Sequence, residues 1–395
     1  MYPNFYYIFK DWFGLEIEFL RVINTFGFFV ALAFLVANYV MVLELKRKEK
    51  ENLVFVSTRE KWIGKGPVWL EVLLNGFFGF LFGWKILALI FYPELIGGNP
   101  QQFIFSTEGS LVLGLITAFL FGAYKYWEGN KSKLKEPKKT IEKIRPYQLM
   151  GNITILAAIS GLIGAKLFHI LEYWQDFLQD PLGMIFSGGG LTFYGGLIFG
   201  AVSVLIYASK RGIKPVHLLD AGSPALMLAY GVGRMGCHTS GDGDWGIVNT
   251  QDKPDWLSWL PDNLWSYNYP NNVLKKCNPY QGEEYFRHIC DFSETPYLIA
   301  PVYPTALYEV LMAIGIFAFL WFIRKKINTA GIIFFIYLFF NGLERFLIEK
   351  IRVNSTYDLL GMKITQAEII SFGLMLTALG GVLSLMLRRS KKSST

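Results

Sequence analysis

Charged residues are scarce in this sequence. Only 17% of its 395 residues are Asp, Glu, Lys or Arg, and 52% are hydrophobic, whereas soluble domains carry about 25% charged residues. This shortage excludes an ordinary soluble globular domain. The chain is therefore expected to be an integral membrane protein.

Cysteine is also rare, with three in the whole chain. Cys277 and Cys290 fall in one long polar segment, where a disulfide between them is sterically allowed and two free thiols are the alternative. Cys237 begins the run Cys-His-Thr-Ser-Gly-Asp-Gly-Asp, which matches no standard zinc spacing. We therefore expect neither a metal nor a cofactor.

Apolar runs near the roughly 20 residues that cross a bilayer recur nine times. They lie at 19–43, 68–95, 109–127, 148–173, 190–208, 217–237, 303–323, 330–349 and 365–387. The predicted fold is an all-α integral membrane protein, a polytopic helical bundle of about nine spans with a small head segment on the outer face.

The net charge of +7 follows membrane topology and does not indicate a nucleic-acid partner. Loops on one side of the predicted membrane hold 25 of the 38 basic residues, and loops on the other side hold 8. This alternation is the positive-inside rule. It places the N-terminus outside and the C-terminus in the cytoplasm.

The chain divides into three predicted parts. Residues 1–147 contain the first spans and a basic cytoplasmic linker, 148–387 form a membrane core, and 388–395 form a basic cytoplasmic tail. Within the core, the head segment 238–300 is rich in Asp, Asn, Pro, Trp and Tyr. That composition predicts a small cap of turns and short strands.

A weak internal repeat connects the first part to the core. Residues 81–126 align with 162–207 without a gap and share 11 identities in 46 positions. This similarity predicts a duplicated two-span unit whose first copy lost its chemistry. Chance similarity between two apolar segments is the alternative.

Two arginines, Arg234 and Arg345, lie inside predicted spans. A charged side chain at that depth costs roughly 2.5–3.5 kcal/mol, so it normally faces a cavity, a partner or a substrate. Arg345 shares one helix face with Asn341, Glu349 and Arg352. A polar stripe with fixed positive charges is typical of a site for an anionic lipid headgroup.

Ion pairing is the structural alternative for these arginines. Arg234 could pair with Asp220 or Asp242, and Glu349 could neutralise Arg345. Two arginines against one aligned acid would still leave positive charge for a ligand.

Two glycine clusters flank Tyr194. Gly189 and Gly190 follow an outer loop and could present backbone N–H groups to an anion at a helix start. Gly195 and Gly196 could line the same site, or they could allow two membrane helices to pack closely. The Tyr194 hydroxyl needs a hydrogen-bond partner if it is buried.

Four motifs occur in order within the core. They are SGGGLTFYGG (187–196), GVGRMGC (231–237), YPTALYE (303–309) and GLERFLIEKIR (342–352). Together they resemble the motifs of the bacterial prolipoprotein diacylglyceryl transferases. The resemblance implies a seven-span bundle with a periplasmic head in the inner membrane. It also implies transfer of a diacylglyceryl group from phosphatidylglycerol to the lipobox cysteine of a preprolipoprotein, releasing glycerol phosphate.

The resemblance also implies roles for individual residues. Arg234 looks like the arginine that contacts the lipid phosphate, and Arg345 looks like the essential arginine of the later span. Glu349 and Arg352 match the acid and base that follow it, and Tyr308 matches the tyrosine of a Tyr-Glu pair.

The sequence departs from the family at the expected base. Tyr194 stands where the family usually has histidine, and a tyrosine with an unperturbed pKa of about 10 is a poor base at neutral pH. We therefore expect Tyr194 to orient the substrates and His238 or a second tyrosine to assist proton removal. The usual acidic residue is displaced into the Gly-Asp-Gly-Asp run, so Asp242 is expected to contact substrate.

Two other functions stay open at this point. The missing histidine and the internal duplication fit a non-catalytic lipid-binding or transporter-like protein on the same fold. A transferase with a different acceptor is the other alternative.

Overall fold

The computed structural model describes residues 1–92, 103, 106–186, 190, 192–276, 298, 300–354, 356–359 and 362–393. These residues form two compact units. The first contains Met1–Gly14, Ile23–Val54 and Ile213–Thr395, and the second contains Leu15–Val22 and Phe55–Gly212. Cys277 and Cys290 lie outside the described residues, so their predicted pairing stays a prediction.

Long helices occupy all nine predicted spans. They are α1 (Thr25–Lys50), α2 (Trp69–Phe91), α3 (Leu111–Lys131), α4 (Met150–Glu172), α5 (Phe193–Lys210), α6 (Pro215–Ser240), α7 (Thr305–Ile323), α8 (Ile332–Glu349) and α9 (Gln366–Ser393). Six of them, α1, α2, α4, α5, α7 and α9, are long and apolar enough to cross a membrane. The all-α polytopic membrane fold is confirmed, and the count of nine spans stays a prediction.

Short elements fill several connections. The helical ones are Phe5–Phe13, Glu18–Val22, Pro146–Leu149, Trp174–Gln179, Pro181–Phe186, Asp255–Leu257 and Asp262–Trp265. The strands form two antiparallel pairs, β1 (Ser57–Ile63) with β2 (Lys138–Ile144) and β3 (Thr356–Leu359) with β4 (Met362–Thr365).

A small hydrophobic core, and not a β-sheet, stabilises the described part of the head segment. This core consists of Trp245, Tyr269, Leu298 and Val302. Across residues 238–276, 298 and 300, the described part of the segment has turns, short helices and isolated bridges but no strand. The prediction of short strands is wrong there, because the many Pro, Asn and Asp residues favour turns.

In the second unit, α4 and α5 pack with their backbones very close together. A Cβ atom on Gly195 would lie 2.3 Å from the carbonyl oxygen of Gly164, and one on Gly164 would lie 2.4 Å from that of Gly195. Gly196 is similar, because its Cβ would lie 3.1 Å from the carbonyl oxygen of Gly161. The helix-packing alternative therefore explains both Gly195 and Gly196.

In the first unit, α6 packs against α1 and α7, and α8 packs against α9. The buried Asp220 on α6 accepts hydrogen bonds from the backbone N–H groups of Gly331 (2.8 Å) and Phe334 (3.1 Å). Lys48 Nζ on α1 lies 3.9 Å from the same carboxylate. These contacts fix the start of α8 on α6 and so determine where the other end of α8 lies.

Replacing Gly195 by Ala should destabilise the protein, because the added methyl group meets the Gly164 carbonyl. Overpacking of this kind costs about 1–3 kcal/mol. Gly200→Ala is the matched control, because its Cβ would meet the Ala157 carbonyl oxygen at 3.6 Å, an ordinary contact. Thermal unfolding of the two purified variants in detergent tests this, and equal unfolding temperatures would contradict it.

Candidate active site

Charged side chains from three helices meet at one end of the first unit. Arg234 lies in the last two turns of α6, Glu309 lies near the start of α7, and Arg345 lies near the end of α8. Asp244 and Arg352 follow α6 and α8 in the chain. Because each helix supplies different members of the cluster, the packing of α6, α7 and α8 determines its geometry.

Glu309 is the centre of this cluster. Its side chain is 0% exposed, and its oxygens lie 3.1 Å from Arg234 Nε, 3.7 Å from Arg345 Nη1 and 3.6 Å from Arg352 Nη1. The Tyr230 hydroxyl donates a hydrogen bond to Glu309 Oε1 at 2.9 Å. One carboxylate therefore gathers three guanidinium groups that would otherwise repel one another.

Asp244 forms a second bridge between two of these arginines. Its two carboxylate oxygens form ion pairs with Arg234 and Arg352. Burial opposes ionisation of Asp244, but the charges of Arg234 and Arg352 outweigh it and hold its pKa below the ordinary value. The carboxylate is therefore ionised at neutral pH.

The predicted alternative partners of Arg234 are wrong. Asp220 binds the start of α8, while Asp242 accepts a hydrogen bond from the backbone N–H of Asp244 at 3.2 Å. Burial and the charge of Asp244 raise the pKa of Asp242. The Gly-Asp-Gly-Asp run does contain an acidic partner of Arg234. That partner is its second aspartate, Asp244, and not its first, Asp242.

Glu349 neutralises Arg345, as one alternative predicted. Its Oε2 lies 3.0 Å from Arg345 Nη2 one helical turn away, and its Oε1 accepts a hydrogen bond from Asn354 Nδ2 at 2.6 Å. Because Glu349 is only 4% exposed, this ion pair is shielded from water. It fixes the rotamer of the more exposed arginine.

The balance of charge differs from the expectation. The arginines were predicted to face one aligned acid, but the three arginines of the cluster pair with three carboxylates. The pairs consist of Arg234, Arg345 and Arg352 with Asp244, Glu309 and Glu349. A guanidinium has five N–H donors, so an anion can still bind donors that these carboxylates leave free.

Four members of the site were not among the predicted site residues, namely Tyr230, Asp244, Glu309 and Glu344. Tyr230 was not singled out, although it lies one helical turn before Arg234, and its hydroxyl lies 2.9 Å from Glu309 and 3.4 Å from Glu344. Glu344 was not singled out either, and the structure buries it to 2% exposure. The available signal was helical spacing, since residues four apart share a face.

His238 lies against the aromatic residues of the head segment. Its Nδ1 is 3.3 Å from the Tyr269 hydroxyl, and its ring also contacts Tyr267. The buried thiol of Cys237, with Asp242 and Asp244, places three potential metal ligands within 4.8 Å of one another. Because Asp244 already binds two guanidinium groups, the local positive charge opposes a cation.

Tyr308 connects the start of α7 to the head segment. Its hydroxyl donates a hydrogen bond to the carbonyl oxygen of Leu264 at 2.9 Å. In the same head segment, burial raises the pKa of Tyr267 above its ordinary value. Three residues before Tyr308, the Thr305 hydroxyl donates to the carbonyl oxygen of Asp244 at 2.8 Å. These bonds position Asp244 and Glu309 relative to each other.

The other predicted site residues belong to the second unit. Tyr194 lies in the first turn of α5 and is 42% exposed. Gly190 has φ +68°, a conformation that favours glycine, and a Cβ there would lie 2.3 Å from His169 Nε2. Gly189 lies outside the described residues.

The fold and the cluster define a polytopic helical membrane protein with ionisable groups buried among its spans, which is a mark of function. A family model described as "Prolipoprotein diacylglyceryl transferase" matches residues 110–384. That match covers well over half of the chain. The chain belongs to this family, and the resemblance inferred from the four motifs is confirmed.

Curated relatives carry the name phosphatidylglycerol–prolipoprotein diacylglyceryl transferase. A Dehalococcoides mccartyi protein is 28% identical over 250 residues, which is 63% of this chain and 80% of the relative. One from Streptococcus mutans is 28% identical over 222 residues, covering 55% and 71%. One from Corynebacterium diphtheriae is 25% identical over 290 residues, covering 72% and 88%.

Glu309→Gln should strongly destabilise the first unit, because it leaves three guanidinium groups close together without their shared carboxylate. Removing one partner of a buried ion pair costs roughly 3–5 kcal/mol. Glu71→Gln is the control, since its side chain is 56% exposed beside Lys125 and exposed pairs contribute little. Thermal unfolding in detergent measures both, and an E309Q protein as stable as E71Q would refute the central role of Glu309.

Proposed function

We propose that this protein transfers the diacylglyceryl group of phosphatidylglycerol to the lipobox cysteine of a preprolipoprotein. Family membership and the printed names of the relatives support this reaction. The observation that carries the proposal is the meeting of Arg234, Arg345 and Arg352 around Glu309 at one end of a membrane bundle. Guanidinium groups held there suit the phosphate of an anionic lipid.

Arg234 and Arg345 contact the lipid phosphate in this proposal. Arg345 has a side-chain exposure of 28%, against 16% for Arg234 and 11% for Arg352, so it is the most accessible. The carboxylates orient the guanidinium planes before the lipid arrives. A preorganised charged group needs little rearrangement when negative charge develops on the substrate.

The proposed chemistry is a displacement at the glyceryl carbon. The cysteine thiol, with an ordinary pKa of about 8.5, must lose its proton to become nucleophilic. The sulfur then forms a bond to the glyceryl carbon, and the bond from that carbon to the phosphate oxygen breaks. Glycerol phosphate leaves with the electron pair, and the arginines stabilise its charge.

The remaining predicted residues have supporting roles in the proposal. Tyr194 orients the thiol or the phosphate, and Gly189 and Gly190 bring the backbone close to the substrates, while Gly195 and Gly196 allow α4 and α5 to pack closely. Asp242, Glu349, Arg352 and Tyr308 complete the binding site, and His238 is a candidate for proton removal. Neither a cofactor nor a metal takes part.

The location follows from topology. We propose that the N-terminus faces the outside of a bacterial inner membrane and the C-terminus faces the cytoplasm. The unequal distribution of basic residues between loops supports this orientation. It places the arginine cluster at the outer side, where a lipobox peptide emerges from the membrane.

A non-catalytic lipid-binding protein is the second candidate. Two observations favour it, namely the tyrosine at position 194 and the pairing of every arginine of the cluster with a carboxylate. Such a protein would bind phosphatidylglycerol and transfer nothing. A transferase with another acceptor would consume the lipid without modifying a lipobox peptide.

Arg234→Gln should lower transfer by about 10²–10³-fold, the usual effect of losing one oriented donor to a developing negative charge. The assay uses nanodiscs with phosphatidylglycerol as the sole donor and detects the mass of one diacylglyceryl unit on a lipobox peptide. Arg324→Gln is the matched control, because Arg324, with a side-chain exposure of 12%, is also a mostly buried arginine and pairs with Glu44 at the proposed cytoplasmic end. Equal activity in R234Q and R324Q would refute the role of Arg234, and wild-type protein that leaves the peptide unmodified would refute the proposed function.

A further inference from the structure

The arginine cluster contains one carboxyl group more than its arginines require. Three guanidinium groups pair with Asp244, Glu309 and Glu349, and these six side chains already balance. Glu344 is a fourth acidic group in contact with the cluster, and it forms no ion pair with any Lys or Arg of the described residues. This excess carboxyl group has no structural charge to neutralise.

Glu344 is also poorly hydrogen-bonded. Its side chain is 2% exposed, and its Oε2 is buried without a hydrogen-bond partner among the described residues. Its Oε1 lies 3.4 Å from the Tyr230 hydroxyl, which is closer to Glu309 at 2.9 Å. A hydroxyl has one proton to donate, so the nearer Glu309 takes that hydrogen bond and Glu344 is left with open lone pairs.

A carboxylate in this position is a strong proton acceptor. Away from water, the negative charge loses its hydration, and taking up a proton removes that penalty. The charged and titratable groups that face Glu344 are Tyr230 and Arg234 on α6, Glu309 on α7, and Tyr337 and Arg345 on α8 itself. None of them is a histidine, and tyrosine is a poor base at neutral pH.

We propose that the Glu344 carboxylate accepts the proton of the acceptor thiol, in place of the base that Tyr194 does not supply. This inference rests on the proposed transfer reaction. The S–H bond breaks and an O–H bond forms at Glu344 Oε2, while the sulfur electron pair forms the S–C bond. The glyceryl C–O bond breaks with its electron pair retained by the departing glycerol phosphate, and Glu344 later releases its proton to solvent.

The charge balance supports this step. Before proton transfer the cluster has four carboxyl groups against three arginines. Protonation of Glu344 removes one negative charge while another develops on the phosphate. The arginines then meet the leaving group without an extra carboxylate repelling it.

The test compares wild type with Glu344→Gln and Glu344→Asp in nanodiscs, measuring single-turnover transfer to a lipobox peptide between pH 5 and about pH 9. We expect E344Q to lower the rate by about 10²–10⁴-fold, the range for a lost general base. The remaining rate of E344Q should rise about tenfold per pH unit up to about pH 8.5. Without the carboxylate, the reaction depends on the fraction of peptide thiol that has already lost its proton to solution. E344D should keep an intermediate rate.

The controls separate this inference from a loss of structure and from other bases. Glu368→Gln replaces another buried glutamate, paired with Lys350 directly after α8, and should keep the wild-type rate and pH profile. His238→Ala compares the two candidate bases, because a fall in rate at low pH that disappears in this variant alone would assign proton removal to His238 and not to Glu344. If E344Q does not fold, Glu344→Asp decides, because the shorter side chain moves the carboxylate away from the substrate thiol and should lower the rate and shift the fall in rate at low pH.

Three results would overturn the role of Glu344. They are a wild-type rate and pH profile in E344Q, a fall in rate at low pH that disappears in H238A alone, and a wild-type rate and pH profile in E344D when E344Q does not fold. Failure of the proposed function has a different signature, because the wild-type protein itself would then transfer nothing to the peptide. Binding of phosphatidylglycerol by E344Q, measured by co-purified lipid, should equal that of wild type.

Discussion

The structure of the candidate site depends on one buried carboxylate. Glu309 has no exposed surface, and three guanidinium groups from α6, α8 and the segment after α8 lie within ion-pair distance of it. Like charges in a medium of low dielectric repel strongly, so the three arginines can approach one another only with such a partner. The packing of these helices and the electrostatics of the site therefore depend on the same residue.

This arrangement determines how an anion can bind. The carboxylates orient the arginines and offset the cost of placing charge among the spans, but they also compete with a phosphate. Binding must therefore use guanidinium donors that the carboxylates leave free, and Arg345, with a side-chain exposure of 28%, offers the most accessible ones. Under the proposed function, stability and lipid recognition are coupled through shared side chains, as expected where ionisable groups within spans serve function.

Prediction succeeded where a local property was sufficient. Helices occupy all nine apolar runs, because a long apolar segment must satisfy its backbone hydrogen bonds internally. The face shared by Arg345 and Glu349 follows from helical periodicity, and their ion pair confirms one predicted alternative. Prediction failed for the partners of Arg234, which are Asp244 and Glu309 and not Asp220 or Asp242. A loop conformation decides which aspartate turns inward, and helix packing brings Glu309 close. The prediction of short strands in the head segment was wrong for its described residues, because the many Pro, Asn and Asp residues there favour turns.

The sequence by itself determined the membrane class, the helix positions, the family motifs and the presence of arginines at depth. Each of these depends on composition or on spacing within one segment. The tertiary structure alone decided that Glu309 lies at the centre of the cluster and that Glu344 lies beside it with an open oxygen. Those positions depend on how α6, α7 and α8 pack, and contacts between residues distant in the chain have no local periodicity from which they could be inferred.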